Sequence, residues 1–124
     1  MIEMTNEMEL RIYEALERRN GASGQITVAI EELAELTQAL TKWLRFYNFG
    51  GLGEDVSIND VREHIREEIA DASIMLNQLE LMFGDTGDIQ ERKLQRIYGL
   101  VEDMFDTDGE LKPMHWWRED EDDG

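Results

Sequence analysis

The sequence contains no cysteine. That excludes disulfides, zinc–thiolate centres and thiol nucleophiles. No apolar run approaches the length of a membrane span, and the N-terminal stretch MIEMTNEMELRIYEALERR lacks the basic start and apolar middle of a signal peptide. A soluble, cytoplasmic protein that does not engage a membrane is the expectation. Basic residues are scarce: 12 Lys and Arg stand against 29 Asp and Glu, a net charge of −17. Such a balance argues against nucleic acid as a partner, because phosphate binding needs a basic patch. Proline is nearly absent, with Pro113 alone in the C-terminal segment. At 124 residues and 41% hydrophobic content, the chain makes one domain with a modest core.

What remains is mostly helical pattern. A first helix is predicted over roughly Thr5–Arg19, with Met8, Ile12, Ala15 and Leu16 inward. Asn20 and Gly21 stop it, and Gly24 lies in a short link. A second helix runs from about Gln25 to Tyr47. The segment NFGGLGEDVSIND breaks the pattern with Gly50, Gly51 and Gly53. Ser57 or Asn59 caps a third helix that reaches Phe83, and a GDTGD turn leads to a fourth, about Ile89–Met104, with Leu94, Ile97, Val101 and Met104 inward. No segment reads as a strand. The fold class is therefore all-α, a four-helix bundle-like domain over residues 1–105. Residues 106–124 form a C-terminal extension whose acidic end, Glu119–Asp123, is expected to be disordered and solvated.

Two acidic doublets interrupt this amphipathic pattern. Glu32 and Glu35 lie in EELAE, and Glu68 and Asp71 lie in EEIAD. An i,i+3 spacing sets two carboxylates side by side on one helix face. Single pairs of this kind are ordinary solvated surface. Here two pairs stand in matching positions beside apolar stripes. The stripes are Ile26, Ile30, Leu33, Leu40, Leu44 and Tyr47, with Thr37 among them, and Val61, Ile65, Ile69, Ala72, Leu76, Leu79 and Phe83. If the two helices pack together, four carboxylates converge with no basic residue in either motif. A hard divalent cation such as Mg²⁺ needs that kind of oxygen set, and helical bundles build metal sites from facing helices. Bound cations also answer the charge problem, because they reverse the local sign and let an acidic protein hold an anionic substrate.

The pair EELAE…EEIAD, in the context QITVAIEELAELTQAL and IREEIADASIMLNQL, resembles the EExxE…ExxD signature of the MazG-like, all-alpha nucleoside triphosphate pyrophosphatases. The resemblance covers about Gln25–Arg96. It implies that Glu32, Glu35, Glu68 and Asp71 are metal ligands for Mg²⁺, with Mn²⁺ able to substitute. It further implies that Glu31 is an auxiliary acid that binds a second metal or orients the attacking water. Downstream, KLQR matches the family's K-x-x-R, so Lys93 and Arg96 would face phosphates. Two departures stand out. The gap between the acidic motifs is long, because of the glycine-rich loop at Asn48–Ser57. Gln78 occupies the place, seven residues after the motif Asp, where some relatives carry a substrate-contacting Asn.

The implied reaction is hydrolysis of a nucleoside or deoxynucleoside triphosphate to the monophosphate and pyrophosphate, in nucleotide-pool house-cleaning. Trp43 clusters with Phe46, Tyr47 and Phe49 and is placed to stack on a nucleobase; the same aromatics would equally serve a core or a subunit interface. His64, on the polar side of its helix, reads as solvated. The broad apolar stripes, with Trp116 and Trp117 beyond the core's needs, point to a homodimer or homotetramer. The alternative is a non-enzymatic acidic helical interaction protein such as a DNA mimic, which would spread its acids over the outer surface instead of focusing them.

Overall fold

In the computed structural model, residues 1–49 and 57–113 are described. The expectations placed on Gly50, Gly51, Gly53, Trp116, Trp117 and the Glu119–Asp123 tail lie outside the described residues. Three helices follow one another: α1 (Asn6–Phe49), α2 (Ile58–Phe83) and α3 (Gly87–Val101), the last continued by a 3₁₀ turn at Glu102–Met104. No strand forms among the described residues. The only pairing outside helices there is an isolated bridge between Phe105 and Leu111. None of the helices, as described, is long and apolar enough to cross a membrane. The chain divides into two units, Met1–Gly84 and Asp85–Gly124.

In the first unit, the two helices expected on either side of residue 20 meet at a single residue. Gly21 alone leaves helical geometry, with φ 75° and ψ 163°. A side chain cannot comfortably adopt that backbone, so glycine breaks the axis at one point. Asn20 and Gly24, expected to be a stop and a link, stay within helical segments. The helix start is fixed by Thr5, whose Oγ1 accepts from the Met8 amide at 3.1 Å. Glu7–Arg11 and Glu14–Arg18 pairs at i,i+4 spacing line its outer face. α2 begins as read from sequence: Ser57 caps it, accepting from the Asp60 amide at 3.1 Å. It ends at Gly84, where φ is 117°.

The packing of α1 on α2 corrects the expected stripe. On α1 the side chains turned toward α2 are Gln25, Ala29, Glu32, Leu36, Ala39, Trp43 and Phe46, all buried or half-buried. This is the predicted series displaced by one residue, a rotation of about 100°. On α2 the inward series is Val61, Ile65, Glu68, Ala72, Met75, Leu79 and Met82. Both series alternate steps of four and three, the 3.5-residue repeat of a coiled-coil seam. Rising numbers on α1 meet falling numbers on α2, so the helices run antiparallel: Gln25 meets Gln78, and Glu32 lies near Glu68 and Asp71. Small side chains at Ala29, Ala39 and Ala72 are almost fully buried, and with them the backbones can approach closely.

The bulkier residues that sequence periodicity placed in the core are instead open. Ile30 is 62% exposed and Tyr47 75%, with Leu33, Leu40 and Leu44 also exposed. On α2, Ile69, Leu76 and Phe83 are exposed as well. Among the described residues no large side chain is completely buried; the buried apolar set is Tyr13, Ala29, Ala39, Val61, Ala72 and Met75. The arm of α1 before Gly21 folds against the end of α2. Tyr13 is buried there, donates its hydroxyl proton to Glu9, and Asn77 reaches the same Glu9 oxygen at 3.5 Å. Of the inward face expected on this arm, Met8, Ile12 and Leu16 are half-buried and Ala15 is exposed.

The second unit is smaller. α3 is exposed from Gly87 to Leu100, Leu94 and Ile97 included, while Val101, Met104 and Phe105 are half-buried. Tyr98 and Phe105 meet with ring centroids 5.3 Å apart. Asp106 Oδ1 accepts from the amides of Asp108 and Glu110, closing the turn that returns the chain to Leu111.

Candidate metal centre

The seam that packs the helices also carries the acids. Glu32 occupies the seam position between Ala29 and Leu36, and Glu68 the one between Ile65 and Ala72. Their neighbours are small or aliphatic, so both carboxyls are held between the helices instead of swinging out to water. Asp71 follows one turn after Glu68. One oxygen from each of Glu32, Glu68 and Asp71 lies within 4.8 Å of the other two. Glu68 is only 8% exposed, Glu32 is half-buried and Asp71 is exposed. The cluster is therefore closed on the seam side and open toward solvent at Asp71.

The electrostatics are unfavourable as they stand. Glu32 Oε2 and Glu68 Oε2 are buried and have no hydrogen-bond partner. Buried polar groups are normally satisfied, so two orphaned carboxylate oxygens in one spot need a cause. Burial holds the Glu32 carboxyl above the ordinary glutamate range, reinforced by the charges of Glu35, Asp71 and Glu68. Glu68 is raised by burial and by Glu35, while His64 pulls it back. The His64 Nε2 lies 3.9 Å from Glu68 Oε1 and is the one basic partner of the cluster among the described residues. His64 is exposed, as expected from its place on the polar side of α2; the signal for its pairing is the i,i+4 offset from Glu68.

A hard divalent cation fits this donor set. Mg²⁺ is bound through a few carboxylates and keeps several waters. Three carboxyls from two helices, with two oxygens unengaged, offer oxygen ligands, and the cluster is open to solvent at Asp71. A cation there would satisfy both orphaned oxygens and cancel the repulsion that raises the two carboxyls.

The other site residues fall in several places. Glu35 is exposed but acts on Glu32 and Glu68 alike, so it borders the cluster without joining the close triad. Glu31 is exposed on the neighbouring face of α1 and is not one of the three. Gln78 is buried, hydrogen-bonds Gln25 and lines a cavity of about 330 Å³ between the N-terminal arm of α1 and the end of α2. Trp43 lies on the other side of the acids, eleven residues beyond Glu32. It lines a separate groove of about 280 Å³ with Leu40, Ile65, Arg62 and Arg66. Gln78 and Trp43 therefore do not share one pocket. Lys93 and Arg96 are exposed on α3, in the second unit.

Four residues escaped the sequence reading. Arg62 and Arg66 are the basic residues beside Trp43, and their i,i+4 spacing just before EEIAD was the available signal. Gln25 and Tyr13 line the cavity with Gln78; Gln25 stands seven residues before Glu32, two helical turns on the same face. Comparisons with protein-family models, with curated proteins and with solved structures return no match for this chain.

Proposed function

We propose that the protein is a Mg²⁺-dependent nucleoside triphosphate pyrophosphohydrolase built on the four-helix, all-alpha scheme. The reading rests above all on one observation: two buried carboxylate oxygens, Glu32 Oε2 and Glu68 Oε2, lack partners in a cluster with Asp71. A divalent cation bound by such acids neutralises phosphate oxygens and acidifies water, the chemistry that attack on a polyanion requires.

The chain's own residues divide the work. Glu32, Glu68 and Asp71 supply oxygens from two helices whose spacing the seam fixes. Glu35, at the exposed border of the cluster, accepts a proton from the attacking water; Glu31, one position before Glu32, is the auxiliary acid that orients that water. Water adds to the α-phosphorus, the bond from that phosphorus to the oxygen bridging to the β-phosphorus breaks, and that oxygen leaves with the pyrophosphate. The products are a nucleoside monophosphate and pyrophosphate. The second half of the proposal is a homodimer, or a dimer of dimers. The exposed ridge of Ile30, Leu33, Leu40, Leu44 and Tyr47 along one helix is what supports it.

The test is a panel of nucleoside triphosphates assayed for pyrophosphate release. Turnover is expected with Mg²⁺ or Mn²⁺, both hard enough for oxygen ligands, and none in EDTA. Full turnover in EDTA refutes the reading, and release of orthophosphate alone places the cleaved bond elsewhere.

A further inference from the structure

The acid cluster opens on one side of the pair α1–α2, and the two sides of that pair carry different residues. At 3.6 residues per turn, Glu35 and Asp71 each stand about 60° from Glu32 and Glu68. They turn to the same side, since both carboxylates act on Glu32 and on Glu68. That side is the mouth of the cluster. Leu40, Arg62 and Arg66 turn the other way and line their own groove with Trp43. Arg62 and Arg66 shortly precede the acids on α2, yet they face away from the mouth.

Followed along both helices, the mouth has a direction. Lys42 comes seven residues after Glu35, and His64 seven before Asp71. Seven residues are two turns on nearly the same face, about 10 Å. The helices run antiparallel, so both steps lead toward the same end of the pair, and Lys42 comes level with His64 as Glu35 does with Asp71. His64 reaches back to the cluster, with Nε2 3.9 Å from Glu68 Oε1. Seven residues the other way stand Val28 and Gln78, which carry no charge. Lys42 is exposed and has no ion-pair partner among the described residues. Asp60, in the first turn of α2, is one turn before His64 and leaves that lysine unpaired. In a chain of 29 acidic and 12 basic residues, an unengaged ammonium two turns from an acid cluster asks for an anion.

We propose that Lys42 and His64 are the phosphate end of this mouth, holding the outer phosphates of a polyphosphate whose inner phosphate sits at Glu32, Glu68 and Asp71. The proposal rests on the pyrophosphohydrolase reading for the nucleoside and deepens it by giving the substrate a direction. The phosphates run toward Lys42, and pyrophosphate leaves on that side. An ammonium offers three donors, and an imidazole offers at least one N–H in either protonation state. Hydrogen bonds from a charged donor to phosphate belong to the strong class. A monophosphate is too short to meet both ends, so the arrangement holds a triphosphate and lets the monophosphate product go.

The test uses inorganic pyrophosphate, whose binding does not depend on turnover. Its affinity for the full chain is measured by titration calorimetry in saturating Mn²⁺, and the affinity for Mn²⁺ alone by paramagnetic resonance. Lys42→Met keeps the apolar stem and removes the ammonium. It should weaken pyrophosphate roughly ten-fold or more, the scale of one charge-assisted hydrogen bond, with Mn²⁺ affinity unchanged. Lys42→Arg should retain most of the parent affinity. Arg62→Met removes the same charge on the other side and should leave pyrophosphate binding as it was. No pyrophosphate binding by the parent, unchanged affinity in Lys42→Met, or an equal loss in Arg62→Met overturns the proposal. So does a loss that weakened Mn²⁺ binding accounts for. If Lys42→Met alone loses pyrophosphate while the parent cleaves no nucleoside triphosphate, the phosphate end stands and the pyrophosphohydrolase reading falls. If the parent cleaves and Lys42→Met matches it in pyrophosphate affinity, the reaction stands and the phosphate end falls.

Discussion

Gly21→Ala is the most informative single change to the fold, because two effects of opposite sign act on one atom pair. The new methyl would meet nothing within 4 Å, so no clash enters the balance. If the backbone stays at φ 75°, ψ 163°, an L-residue there costs on the order of 1–3 kcal/mol. If the backbone relaxes to helix, replacing glycine by alanine gains about 1 kcal/mol in propensity. That straight helix, however, carries the N-terminal arm away from α2. Tyr13 loses its burial, worth roughly 1.5–3 kcal/mol for a large side chain, and the Asn77–Glu9 contact breaks. Both routes end in net destabilisation, of about 1–3 kcal/mol by the first and about 0.5–2 kcal/mol by the second. For a unit of 84 residues each kcal/mol lowers the melting temperature by about 4–8 °C. Thermal melts followed by circular dichroism read the shift. A melting temperature that stays level or rises would show that the break at Gly21 is not needed to hold the arm, and the reasoning would fail.

Other outcomes follow from the acid cluster and the open ridge. Glu35→Gln and Glu68→Gln should each lower turnover at least about 100-fold, a conservative bound set by the loss expected when even a ligand's supporting partner is removed. In EDTA both should retain full helicity and melt no lower than the parent, so unchanged kinetics would reduce these acids to surface charge. In metal-free buffer, stability should fall as pH rises from 4.5, the ordinary glutamate value. Glu32 and Glu68 keep their protons longer in the fold than in the unfolded chain, and ionising them removes that advantage. A Glu32→Gln/Glu68→Gln double variant should flatten the slope, and an equally steep slope in it would contradict the assignment. Light scattering at low micromolar concentration should give twice or four times 14.5 kDa, and Leu40→Glu with Leu44→Glu should reduce it to the monomer; a fully active monomer would remove the subunit interface.

Helix content was legible because its signals are local. Ser57 at the cap, the Gly84 stop and the polar–apolar alternation of α2 depend on neighbours in sequence, and the structure follows them. The face was not legible. Periodicity weighs side-chain bulk, and on α1 the bulk lies at Ile30, Leu33, Leu40, Leu44 and Tyr47. The seam lies one residue earlier, on Gln25, Ala29, Glu32 and Ala39, where small and polar residues carry little hydrophobic signal. Glu32 and Glu68 were therefore placed at the margin of a stripe when they stand in the contact itself. The acid doublets were legible as a pair because like charges so close beside a core are rare. Gln25 and Tyr13 were invisible because the arm before Gly21 folds back, which no local pattern encodes.

The seven-residue repeat of the seam has a consequence for how the two helices find each other. A heptad pattern of alanines and aliphatics repeats itself, so sliding α2 by one repeat would match small residues to small residues about as well. The polar positions would not match. In the observed alignment Gln25 faces Gln78 and the acids face the acids. After a slip of seven, Glu32 would face Gln78 or His64, and the carboxyls would part. The amide pair thus acts as an address that names one alignment, as single polar residues do in coiled coils, while the acids vote against it whenever they are all ionised. A divalent ion reverses that vote. If the cluster holds the proposed divalent ion, that ion would also be the clasp that selects the register, and its removal should loosen the helix pairing before it unwinds either helix.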